Sequence, residues 1–173
     1  LNADHKITKM LGYELVEEKN LPAGTTTCTF SGLDGDVDEE YLIEFDLSVV
    51  GSGYTGIAVR PNNISTNQTG FWAYHYNGGS GQAASFTWIP LGYYFYAENH
   101  DTVGSVIIRA KTGLKRRFIV KNFIPYANSH FGTVDGVFIW NELITKITEL
   151  VLSCKTGGSY SGNIKLWKKL PIE

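Results

Sequence analysis

From Tyr41 to Val49 the chain alternates. Tyr41, Ile43, Phe45, Leu47 and Val49 are apolar, and Glu44, Asp46 and Ser48 between them are polar, with Leu42 as the exception. A period of two sends successive side chains to opposite faces of a strand, so this stretch has one buried face and one wet face. Just before it stands Phe30-Ser31-Gly32-Leu33-Asp34-Gly35-Asp36-Val37-Asp38-Glu39-Glu40, an apolar anchor and then three aspartates at alternate positions. A strand of this kind has to pack its apolar side on another layer. The rest of the chain must supply that layer.

A length of 173 residues fits one domain with a sizeable core. Residues are 43% hydrophobic, 13% aromatic and only 18% charged, a balance that suits pleated, half-buried strands. Nineteen glycines against five prolines supply turns. The net charge of −2 gives no general attraction to nucleic acid or to an anionic membrane, and neither is expected as a partner. No apolar run reaches the roughly 18 residues of a membrane span.

In chain order, residues 1–12 read as an N-terminal arm or linker, and 13–173 as a single domain. Strands are expected at 13–18, 25–30, 41–50, 55–60, 71–76, 136–140 and 144–152. A turn is expected at Leu21-Pro22-Ala23-Gly24 and a flexible connection at 77–81. Strands 105–111 and 117–123 flank Thr112-Gly113-Leu114-Lys115 as a hairpin, and 144–152 with 163–168 form a second one across a glycine-rich turn. About ten short strands without an amphipathic helix predict an all-β fold, an antiparallel β-sandwich of jelly-roll type.

Several blocks together resemble small phage virion proteins and tail-fibre modules. They are the Phe30–Asp36 loop with Tyr41, then Val59-Arg60-Pro61-Asn62, then Ile108-Arg109-Ala110-Lys111-Thr112-Gly113 with Arg116-Arg117-Phe118. Trp140-Asn141, the 144–152 strand and Gly162-Asn163-Ile164-Lys165-Leu166-Trp167-Lys168 complete the set. The blocks keep their order over about residues 13–169. The resemblance implies a non-enzymatic jelly-roll subunit of the virion, in a tail fibre, baseplate or capsid decoration. Its partners would be other virion proteins and copies of itself, with attachment to a host-surface glycan as a further role and no cofactor. It assigns no binding residue. A lectin-like carbohydrate-binding module is the alternative.

Three candidate sites stand out. Asp34, Asp36 and Asp38 have the first, third and fifth spacing of an EF-hand loop, but its sixth position is Glu39 instead of glycine and its twelfth is Phe45 instead of glutamate. An irregular calcium site and a solvated turn, in which the carboxylates bond nearby amides, both stay open. Residues 71–96 hold ten of the chain's 23 aromatic residues. Of these, Trp72, Tyr74, Tyr76, Trp88, Tyr94 and Tyr96 are candidates for stacking on sugar rings or for filling an interface. The hairpin carries Arg109, Lys111, Lys115, Arg116, Arg117 and Lys121, a positive patch that would pair with Glu44 and Asp46. Cys28 and Cys154 read as buried thiols more readily than as a disulfide. His5, His75, His100 and His130 have no metal-ligand spacing, no nucleophile motif is present, and catalysis is not expected.

Overall fold

The structure, a computed structural model, describes residues 9–10, 12–51, 56–66, 68–76, 79–84, 89–92, 100–125, 131–154 and 157–171. The elements begin with β1 (Lys9–Met10), β2 (Tyr13–Thr25), β3 (Thr27–Ser31) and a one-turn helix α1 (Gly35–Asp38). Then come β4 (Glu40–Val50), β5 (Ile57–Pro61), β6 (Gln68–Tyr76), β7 (Gly79–Ala84) and β8 (Ile89–Gly92). The last five are β9 (His100–Arg109), β10 (Arg116–Pro125), β11 (Phe131–Trp140), β12 (Glu149–Cys154) and β13 (Ser159–Lys169).

Two antiparallel sheets result. The large one runs β1-β2-β13-β4-β9-β10-β11-β6-β7 and the small one β3-β12-β5-β8. This is the expected antiparallel β-sandwich; the strand order by itself does not single out the jelly-roll variant. Between the sheets, Tyr41, Ile43, Phe45, Leu47 and Val49 of β4 are all buried, as their alternation requires. Val106, Ile108, Phe118, Val120, Phe138, Trp140, Ile164 and Leu166 extend that layer, and Phe30, Val59, Ile89, Leu150 and Leu152 face it from the small sheet. Each fully buried aliphatic or phenyl side chain contributes about 1.5–3 kcal/mol. Gly104 belongs to the same design. It pairs with Phe45, and a Cβ there would strike the Phe45 ring and the backbone of Lys121.

Four expectations need correction. Leu21-Pro22-Ala23-Gly24 does not turn the chain; β2 continues through it. Its ladder to β13 jumps from Tyr160↔Thr25 to Gly162↔Leu21, so the extra residues form a bulge. Along most of its length β2 pairs on one side only, which is where a proline without an N–H is tolerated. Residues 79–84 are strand β7, because backbone pairing with β6 outweighs their glycine content. The strand expected at 144–152 starts only at Glu149, since residues 141–148 are held by side-chain bonds. Finally, β12 and β13 are not a hairpin: β12 lies between β3 and β5, and β13 between β2 and β4.

Leu47 is fully buried at the centre of this core. Leu47→Ala is expected to cost about 2–5 kcal/mol, read from urea denaturation followed by tryptophan fluorescence. An unchanged midpoint would show that β4 does not carry the core.

Candidate interaction surface

The aspartate loop is a corner that carries the chain from the small sheet to the large one. Phe30 and Tyr41 are buried on either side of it. Asp34 caps α1, its Oδ1 accepting from the amides of Asp36 (3.2 Å) and Val37 (3.3 Å), while its Oδ2 meets Lys146 Nζ at 2.8 Å. Asp36 accepts from the Thr112 amide at 2.7 Å, and Asp38 accepts from the Tyr41 hydroxyl at 2.6 Å. The three carboxylates therefore reach three different partners instead of one point. Among the described residues no group of three His, Cys, Asp or Glu side chains could hold a metal ion. The Lys146 hydrogen bond holds the Asp34 carboxyl below its ordinary range, and Thr112 does the same for Asp36. A cleft of about 330 Å³ opens beside the corner, lined by Val37, Asp38, Glu39, Lys169, Leu170 and Pro171. Its carboxylates are committed, Glu39 to Lys111 and Asp38 to Tyr41 and Lys168.

Arg116 stands behind this corner. It is fully buried, donates from Nε to Ala110 O (3.2 Å) and from Nη2 to Thr145 O (2.7 Å), and lies 4.9 Å from the centre of the Trp140 ring. Burial pushes its pKa down, and the guanidinium fastens the 110–115 and 141–148 connections to each other. The expected positive hairpin therefore divides. Arg109 pairs with Glu40 and Lys111 with Glu39, Arg116 is interior, and Arg117 and Lys121 are exposed.

Trp72, Tyr74 and Tyr76 take alternate positions of β6, with Gly136, Val134 and Gly132 as backbone partners; their side chains lie outside the described residues, as do Trp88, Tyr94 and Tyr96 altogether. Cys28 and Cys154 are free. Cys28 opposes Leu152 on the ladder, and burial pushes the Cys154 thiol up to about 11, away from a reactive thiolate.

The feature that sequence reading missed is on the outer face of the large sheet. The ladders put Leu15 beside Trp167, Trp167 beside Leu42, Leu42 beside Ile107, Ile107 beside Ile119, Ile119 beside Val137, and Val137 beside Phe71. One straight apolar row thus crosses seven adjacent strands at right angles. All its members belong to the parity opposite the core. Trp167 is covered and donates its indole N–H to Glu44 Oε2 at 2.8 Å, whereas Val137 and Phe71 are each 47% exposed. Polar rows flank it. Glu40, Arg109 and Arg117 lie on one side, and Lys165, Glu44, Ser105, Lys121 and Asp135 on the other. Beyond the second row, Val103 and Phe123 form a further exposed pair at 45% and 43%.

A signal for this was present. Val106-Ile107-Ile108, Phe118-Ile119-Val120 and Val137-Phe138-Ile139 are three-residue apolar runs, which make a strand apolar on both faces. No protein-family model, no curated protein and no solved structure matches the chain.

Arg116→Lys is expected to lower stability by about 2–4 kcal/mol, because an ammonium cannot reproduce the planar fork or the ring contact. Chemical denaturation measures this. A loss below about 0.5 kcal/mol would remove Arg116 from its role as the fastener of the corner.

Proposed function

We propose that the protein is a non-enzymatic assembly subunit, a β-sandwich that works by packing the outer face of its large sheet against other protein. The observation that carries this is the apolar row from Leu15 to Phe71, set in register across seven strands and bordered by charge. An antiparallel sheet with one solvated face alternates apolar and polar residues, and a line of large side chains on the outward parity departs from that rule. An apolar centre with a charged rim is also the anatomy of a protein interface. The ordered blocks that resemble phage virion modules suggest the setting: a tail fibre, a baseplate or a capsid decoration. The jelly-roll variant, expected from the run of short strands and implied by that resemblance too, is part of this proposal. The lectin-like alternative rests on Trp72, Tyr74, Tyr76, Trp88, Tyr94 and Tyr96, whose side chains lie outside the described residues.

Amine labelling tests the proposal. Lys121 borders the row and is exposed. It is expected to react readily in the isolated chain at nanomolar concentration and to be protected in particles purified from the same source, with Lys115 in the exposed β9–β10 turn as the internal standard. Absence of the chain from particles, or equal labelling of Lys121 in both states, would contradict the reading.

A further inference from the structure

We propose that the partner of this face is a second copy of the chain, docked face to face about a two-fold axis that runs along β9. The inference rests on the outer face being an assembly surface, and it follows from how charge is arranged around the row. A two-fold axis in the plane of contact and parallel to β9 lays β9 on its own copy, β4 on β10, β13 on β11, and β2 on β6. Residues on the same ladder level then face each other.

The levels are fixed by shared partners. Glu40 and Arg117 both pair with Arg109, and Glu44 and Lys121 both pair with Ser105. Lys165 pairs with Glu44, and Asp135 with Lys121. Docking about β9 therefore brings Glu40 to Arg117, Glu44 to Lys121 and Lys165 to Asp135, with opposite signs each time. The apolar row meets itself: Leu42 faces Ile119, Trp167 faces Val137, Leu15 faces Phe71, and Ile107 faces its own copy; outside the row, Val103 also faces its own copy. Four places are less well matched. Arg109 meets Arg109, each beside its own Glu40, Asp46 meets Phe123, Glu18 meets Ala73, and Lys169 meets Ile139.

Other axes fail on the same residues. An axis along β10 sets Lys121 on Lys121 and Arg117 on Arg117. One between β9 and β10 sets Glu44 on Asp135 and Arg109 on Arg117. One along the apolar row sets Glu40 on Glu44 and Arg117 on Lys121. Like charges brought face to face in an interface oppose docking; the β9 axis has one such contact, Arg109 on Arg109, against two in each of these alternatives.

The size is also adequate. Seven strands at about 4.8 Å and six residues at about 3.4 Å span about 34 Å by about 20 Å, roughly 700 Å² per copy, against roughly 800 Å² per partner in a standard interface. Sheets meeting in this way take the aligned packing, with faces about 10 Å apart. A closed two-fold contact uses the same patch on both subunits, so each complementary pair occurs twice.

Charge reversal reads this out by sedimentation velocity. The wild-type chain is expected to be a dimer at micromolar concentration. Lys121→Glu and Glu44→Lys are each expected to weaken the dimer by about tenfold or more. An equimolar mixture of the two, or both changes in one chain, should restore it to within about threefold of wild type. Asp135→Lys with Lys165→Asp repeats the test should loss of the indole bond to Glu44 unfold the first pair. A wild-type monomer at high micromolar concentration would overturn the β9 axis and leave the particle labelling result standing. A dimer broken by Val137→Lys yet indifferent to Lys121→Glu would overturn the axis and keep the face. A dimer indifferent to both would remove this face from self-association.

Discussion

The hydrogen-bonded register of the large sheet decides both of its faces at once. Fixing Ile43 against Val106 and Leu166 on the inner side also fixes Leu42 against Ile107 and Trp167 on the outer side. Because the side-chain period is two, a slip of one residue would exchange core and surface on that strand. In most antiparallel sheets such a slip is forbidden by burial on one side only. Here large apolar groups line up on both sides, so the polar rows carry part of the specification: Glu44, with Trp167 Nε1 on its carboxylate, and Lys165, paired with Glu18, lie on the level beside the apolar row.

The corner between the sheets solves a different problem. The chain must leave β3 in one layer and enter β4 in the other, and its turn must not expose the core. Phe30 and Leu33 plug the entry, Tyr41 plugs the exit, and Asp34, Asp36 and Asp38 each tie the turn to a different neighbour. Arg116 reaches the backbone of the 110–115 and 141–148 connections from inside. Its charge has carbonyl oxygens and a tryptophan face for company, and breaking such a site is costly because the cation stays buried.

Much of the fold was legible because β4 alternates cleanly and Gly113 marks the β9–β10 turn, where its φ of 80° suits glycine. Other elements were not, for stated physical reasons. Pro22 and Gly24 look like a turn until β2 is known to lie near the edge of the sheet, and 79–84 look like a linker until β6 lies alongside. Arg116 read as one of six basic hairpin residues; whether an arginine faces solvent or core depends on what covers it, which local sequence does not tell. The outer row is the clearest case. Its members come from seven segments, from Leu15 to Trp167, and only the ladder brings them into line.

The small sheet packs on one face of the large sheet, and the apolar row lies on the other. If that face docks on a second copy as we propose, opposite charges meet across β9. Intermolecular methyl NOEs in an equimolar mixture of isotopically labelled and unlabelled chain test this without altering a residue. Contacts are expected between the Leu42 methyls of one copy and the Ile119 methyls of the other, and between Ile107 and its own counterpart. A dimer showing neither contact, or showing NOEs only from the outermost strands, would contradict docking about β9.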